Sequence, residues 1–238
     1  MIKYDLKEVN NLNIDNEEKM DLKYLDKLKE LCDSIMDFTY NLDLKGFNGI
    51  KIISDSLLHP TSDGNLKEKT MLLPKNKTQK YLQNENYDLL KSTIYHELCH
   101  VDLANKLPKL HELHKKYIDE ENYIKCFTIM IYIEYIAHLK SSKLETIKTQ
   151  KNFYESINQK KWEFSNECDK IIFIKSSPYI IGRDIENKYI NEITNYELKK
   201  KILEVKIELE KLPTINFIDN YSILNDLEIL VSKYITND

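Results

Sequence analysis

The chain has 238 residues, 42% of them apolar and 31% charged, with a formal net charge of −4. That length buries a substantial core and the composition is too apolar for a disordered chain, while four Gly and five Pro are too few for the turns of a β-barrel or sandwich. Thirty-five basic residues against thirty-nine acidic ones leave no electrostatic footprint for nucleic acid, and no apolar run approaches the length of a membrane span.

Arg183 is the sole arginine, and the abundance of Lys, Asn and Ile reads as the product of AT-rich coding, so those counts carry no functional weight. The opening stretch, Met1 to Lys7, has no apolar signal core. Cys32, Cys99, Cys126 and Cys168 lie far apart with no CxxC pair. A cytoplasmic protein with reduced thiols is expected.

Apolar residues at Leu25, Leu28, Leu31 and Ile35 predict a helix within 16–40, with Asp15 as its N-cap. The turn signal Lys45-Gly-Phe-Asn-Gly49 leads into a short strand over Phe47–Ser54. Thr61–Asn65 reads as a loop, and Thr70–Leu73 as a second strand stopped by Pro74. A helix is predicted from about Tyr87 to Leu107, ended by Pro108, and a long one from about Ile118 to Leu144. Helices follow near 151–175, 186–210 and 215–235, with an irregular break at Ser176–Asp184. There is no internal repeat and no Ser/Gly-rich linker. The expected fold is α+β, mainly helical, with a small antiparallel or mixed sheet. It forms one domain over 1–238, in which a helical extension, 146–238, packs on a core at 45–145 preceded by a helical segment, 1–45.

Within the Tyr87–Leu107 helix, residues 96–100 spell His-Glu-Leu-Cys-His, an HExxH. Four residues advance a helix by one turn and a small angle, so His96 and His100 stack on one face and can grip one zinc ion. Glu97 is rotated away from both and is suited to act as general base toward a water molecule. The bland alternative is two surface histidines on an ordinary helix.

A catalytic zinc needs a third protein ligand. A histidine six residues beyond the second motif His would mark a metzincin; Lys106 stands there. Glu134, in Ile133-Glu-Tyr-Ile-Ala-His138, is the best candidate, because a carboxylate among apolar residues is costly unless paired or bound to metal. His138 follows one turn later, as an outer partner, an oxyanion donor or a structural histidine. Tyr135, Tyr179 and Arg183 are further candidate oxyanion donors, the last two in the irregular segment, where functional residues concentrate. His111 and His114 form a weaker alternative metal pair, and Asp102 is a candidate second-layer acceptor for a ligand histidine.

With HExxH followed by Glu-x-x-Ala on a later helix, the chain resembles zincin metallopeptidases of the gluzincin type, closest to compact ImmA/IrrE-like and minigluzincin-like proteins. The resemblance covers roughly residues 45–145. It implies a zincin-like core, His96, His100 and Glu134 as zinc ligands, Glu97 as base, and Thr70–Leu73 as an edge strand that binds the substrate backbone. It departs from the thermolysin-like pattern at His138, where those enzymes have Asp, and in the unmatched C-terminal third. The expected activity is zinc-dependent hydrolysis of a peptide or of an exposed loop of a protein, with no nucleic-acid or membrane partner. The alternatives are a catalytically weak zincin-fold binding or regulatory protein of phage or stress-response type, and a helical interaction protein without metal.

Overall fold

The computed structural model describes residues 13–58, 64–184, 188–212 and 221–236. Its contacts divide the chain into two units, Met1–Asn105 and Lys106–Asp238. The fold is α+β and mainly helical, with a small mixed sheet.

The first unit holds a sheet of order β1-β2-β4-β3, built from β1 (Ile14–Asp15), β2 (Gly49–Ile53), β3 (Asn65–Lys67) and β4 (Thr70–Pro74). β1 and β4 flank β2 in parallel, and β3 pairs antiparallel with β4. Helices α1 (Leu22–Met36), α2 (Lys75–Gln83) and α3 (Tyr87–Lys106) complete it. β2, Gly-Ile-Lys-Ile-Ile, is buried on both faces apart from Lys51, as its run of isoleucines requires. Leu28 and Ile35 of α1, Ile52 and Leu73 of the sheet, and Ile94 and Leu98 of α3 share one buried core. Helical spacing turns Leu90, Ile94, Leu98 and Val101 to that core.

Two expectations change here, and a third falls mostly outside the described residues. Asp15 does not cap α1: Ile14 and Asp15 pair with Ile50 and Lys51, and the N-cap is Asp21. Between them Lys19 turns the chain at φ +52°, and the Asn16 side chain brackets the Met20 backbone from both sides. The close approach of β1 rests on Gly49, at φ +106°, where a Cβ would lie 2.5 Å from the Asn13 carbonyl oxygen. Thr70–Leu73 is not an edge strand; β4 is paired on both sides, and β3 lies outside it. The predicted loop at Thr61–Asn65 falls mostly on residues outside those described, with Asn65 already in β3.

In the second unit, α5 (Tyr123–Ser141) packs against α4 (Pro108–Asp119), α7 (Glu167–Gly182) and α9 (Asn225–Thr236). α6 (Ile147–Gln159) and α8 (Tyr196–Lys211) complete the helices named here. α5 is apolar around most of its circumference, as a helix packed on several sides must be. The predicted long helix from Ile118 is split by Glu121, at φ +53°, and α5 begins afresh on an Asn122 side-chain cap.

The predicted irregular break at Ser176–Asp184 is instead the last turns of α7, with Pro178 inside the helix. Proline cannot donate to the carbonyl four residues back, Ile174. The Ser177 hydroxyl donates to that oxygen at 3.0 Å, so the carbonyl is satisfied and the helix continues. The true interruption comes earlier, after Gln159, where the Trp162 indole donates to the Ile157 carbonyl. Among the described residues, no helix is long and apolar enough to cross a membrane.

Candidate metal centre

The helical phase of α3 turns the imidazoles of His96 and His100 toward one point. Their Nε2 atoms are 2.9 Å apart and the rings meet edge to face, centroids 4.6 Å apart. His96 and Glu97 are buried, and His100 is half-buried. About 100° of helical rotation separates Glu97 from His96, which leaves its carboxylate out of the imidazole pair.

The far end of α3 is tied to the loop that precedes β2. The buried Asp102 carboxylate accepts the Asp43 backbone N–H at 2.7 Å. Asn105 donates to the carbonyls of Asp43 and Lys45 and accepts from the Lys69 ammonium at 2.7 Å. At least one oxygen of Asp102 thus anchors backbone, a role the HExxH pattern does not signal. Asn105 was not singled out in the sequence at all. An acid two residues and an amide five residues beyond the second histidine are the signal that was there to be found.

On α5, Glu134 and His138 are one turn apart, with Oε2 and Nε2 separated by 3.8 Å. His138 is buried, and its ring lies against that of Tyr179 with centroids 4.0 Å apart. Tyr179 stands on α7 and is 39% exposed. Arg183, at the C-cap of α7, donates from Nε to Glu145 at 3.0 Å and lies over the Phe153 ring. The Glu145 side chain is 1% exposed, so this ion pair is a fixture of the unit's interior. Tyr135 is buried in α5.

Among the described residues, His96, His100 and Glu134 form a group that could hold a metal ion, their ligand atoms all within 4.8 Å of one another. The donor set, two imidazole nitrogens and a carboxylate oxygen, suits a divalent ion that keeps an open position. Tetrahedral coordination at about 2.0–2.1 Å would separate the two nitrogens by roughly 3.3 Å. The separation found is within a few tenths of an ångström of that.

The other sulfur and nitrogen candidates are arranged differently. His114 Nε2 lies 3.3 Å from the Cys126 thiol, and burial holds the His114 pKa below its ordinary value, helped by His111 and opposed by Glu134. His111 and His114 belong to no group of three donors among the described residues. None of the four cysteines is in a disulfide, and burial pushes the Cys32 thiol up to about 12, which makes it inert.

No protein-family model matches this chain, and neither a curated protein nor a solved structure is significantly similar to it.

Proposed function

We propose that the chain is a zinc-dependent peptide hydrolase, with His96, His100 and Glu134 as metal ligands and Glu97 as general base. The observation that carries the reading is the pairing of the two imidazole Nε2 atoms at 2.9 Å, in a group with a carboxylate. An HExxH on a regular helix gives both histidines one target and leaves the intervening acid for proton transfer.

Zinc, when bound, supplies a Lewis acid that polarises a carbonyl and acidifies a water molecule. The protein's own contribution is proton handling and orientation. The Glu97 carboxylate accepts the proton of the attacking water and returns it to the leaving amine nitrogen. The His138 imidazole and the Tyr179 hydroxyl are the candidate donors to the oxyanion that develops on the carbonyl oxygen. Their rings are in contact, so each limits the rotation of the other. Arg183, fixed by Glu145 and Phe153, acts by holding the end of the helix that carries Tyr179.

The test combines metal analysis with cleavage of a peptide library. The wild type is expected to hold zinc and to cleave, and Glu97→Gln to hold zinc without cleaving. Equal turnover by the variant, or a wild type that binds no zinc, would overturn the reading. A wild type that holds zinc but cleaves no peptide would favour a regulatory or binding role over hydrolysis.

A further inference from the structure

α8 turns Leu198, Ile202, Val205 and Leu209 into the second unit. Its opposite side is exposed at Tyr196, Lys200, Leu203, Ile207 and Glu210. These five recur alternately four and three residues apart, the spacing of a two-stranded coiled-coil seam rather than of a broad core face. At 100° per residue they fall within about 40° of one line along the helix. The middle of the seam is apolar, with Leu203 38% and Ile207 54% exposed. Beside it on α9 stands Ile229, 67% exposed, and Ile207, Ile229 and Leu230 line one groove between the two helices. A contiguous apolar patch with charged ends marks an interaction surface.

The charges at the two ends have opposite sign. Lys200 stands toward the N-terminus of α8 and Glu210 toward its C-terminus. Glu210 lies 3.8 Å from Lys206 on its own helix, yet its side chain is 54% exposed and can accept a second ammonium. Laid parallel on a copy of itself, α8 would set lysine on lysine and glutamate on glutamate. Laid antiparallel, it sets Leu203 level with Ile207 of the copy and Lys200 level with Glu210. Both pairs are centred on residue 205, so a single register satisfies them together. A partner of one charge sign would instead meet like charge at one end of the seam.

We propose that this face is the interface of a twofold dimer of the chain, in which α8 packs antiparallel on α8 of a second copy. Leu203 and Ile207 pair reciprocally at its centre, Lys200 and Glu210 pair at both ends, and Ile229 and Leu230 flank the seam. Such an interface is self-complementary, as twofold symmetry requires. A helix of 16 residues is about 24 Å long, and with α9 about 10 Å to its side the face covers roughly 450 Å² in projection. That is small beside the roughly 800 Å² per partner of a stable complex, so the expected Kd is about 10–100 μM. The dimer makes no use of the metal group.

Sedimentation velocity of the full chain over about 1–500 μM tests it. The wild type is expected to pass from monomer to dimer across that range. Ile207→Asp should weaken the dimer at least about tenfold, with an unchanged melting temperature at monomer concentrations. Ile147→Asp, at an exposed position on α6, should leave association unchanged. Lys200→Glu and Glu210→Lys should each weaken self-association by about tenfold, because each sets two like-charged pairs across the seam. An equimolar mixture of these two variants should associate about as well as the wild type, since every pair across the mixed seam is again opposite in sign. A wild type that stays monomeric up to roughly 500 μM would overturn the proposal. So would a dimer indifferent to Ile207→Asp, or a mixture no more associated than its components.

Discussion

Replacing Gly182 by alanine tests how the position of Glu134 and His138 is set. α7 crosses α5 at Gly182, where an added Cβ would lie 2.5 Å from His138 Cβ, 3.0 Å from Leu139 N and 3.1 Å from the Tyr135 carbonyl oxygen. Carbon atoms meet comfortably at about 3.5–4.0 Å, so the methyl group is roughly 1 Å too close to His138. None of the three opposing atoms lies at the end of a flexible side chain, and relief requires the helices to part. Overpacking of this kind costs about 1–3 kcal/mol, and alanine recovers about 0.5–1 kcal/mol over glycine in a helix. A net loss of about 1–2 kcal/mol lowers the melting temperature of a chain this long by about 2–8 °C. The same displacement acts on His138 directly and on Glu134 one turn away. Zinc affinity, measured by competition with a chromophoric chelator, is therefore expected to fall by about tenfold or more. An alanine variant that melts with the wild type and binds zinc equally well would refute the close-crossing argument.

Three further outcomes are expected. Glu134→Ala should lower zinc affinity by more than the roughly 10–100-fold typical of changes outside the ligand set, while Glu112→Ala, at an exposed position on α4, should not change it; elemental analysis after dialysis reads both. Asp55→Ala should cost about 0.5–2 kcal/mol in urea unfolding, because the Asp55 carboxylate accepts the backbone N–H groups of Asn76 and Lys77 at the start of α2. Burial holds the folded His114 pKa below its ordinary value of 6.5, so the unfolded chain takes up this proton first. That contribution to stability is complete above pH 6.5 and is lost as pH falls toward the folded pKa. A His114→Gln variant should show a shallower acid-side decline in melting temperature, and an unchanged slope would count against the assignment.

The elements with strong periodicity were legible in the sequence. β2 is a short isoleucine run, α3 repeats its apolar residues every three or four positions, and the HExxH announces its own geometry once that helix is granted. The elements that escaped are held by partners distant in sequence. α2 is polar throughout and buries little beyond Thr78 and Leu82; its first turn is capped by Asp55, some twenty residues earlier. The β3–β4 turn uses Glu68 and Lys69 at φ +50° and +59°, without the glycine or asparagine that such a turn usually displays. Each left-handed residue costs about 1–2 kcal/mol. Bonds from Asn48 to the carbonyls of Glu68 and Lys69, and from the Lys69 ammonium to Lys45, offset that cost. Pro178 misled for a related reason, since the serine beside it supplies the missing donor. Glu134 was legible as an unusual acid in an apolar helix. The ion pair of Arg183 with Glu145 was not, because nothing local joins residues so far apart.

The ties at the end of α3 give the HExxH pattern a longer grammar. Asp102 and Asn105 lie on the side of the helix opposite His96 and His100, about half a turn around the axis. One face thus carries the imidazoles, and the other locks the helix against rotation through the loop at Asp43 and Lys45. The two faces share ten residues, His-Glu-x-x-His-x-Asp-x-x-Asn, whose first half carries the candidate ligands and the proposed base and whose second half sets the bearing of the helix.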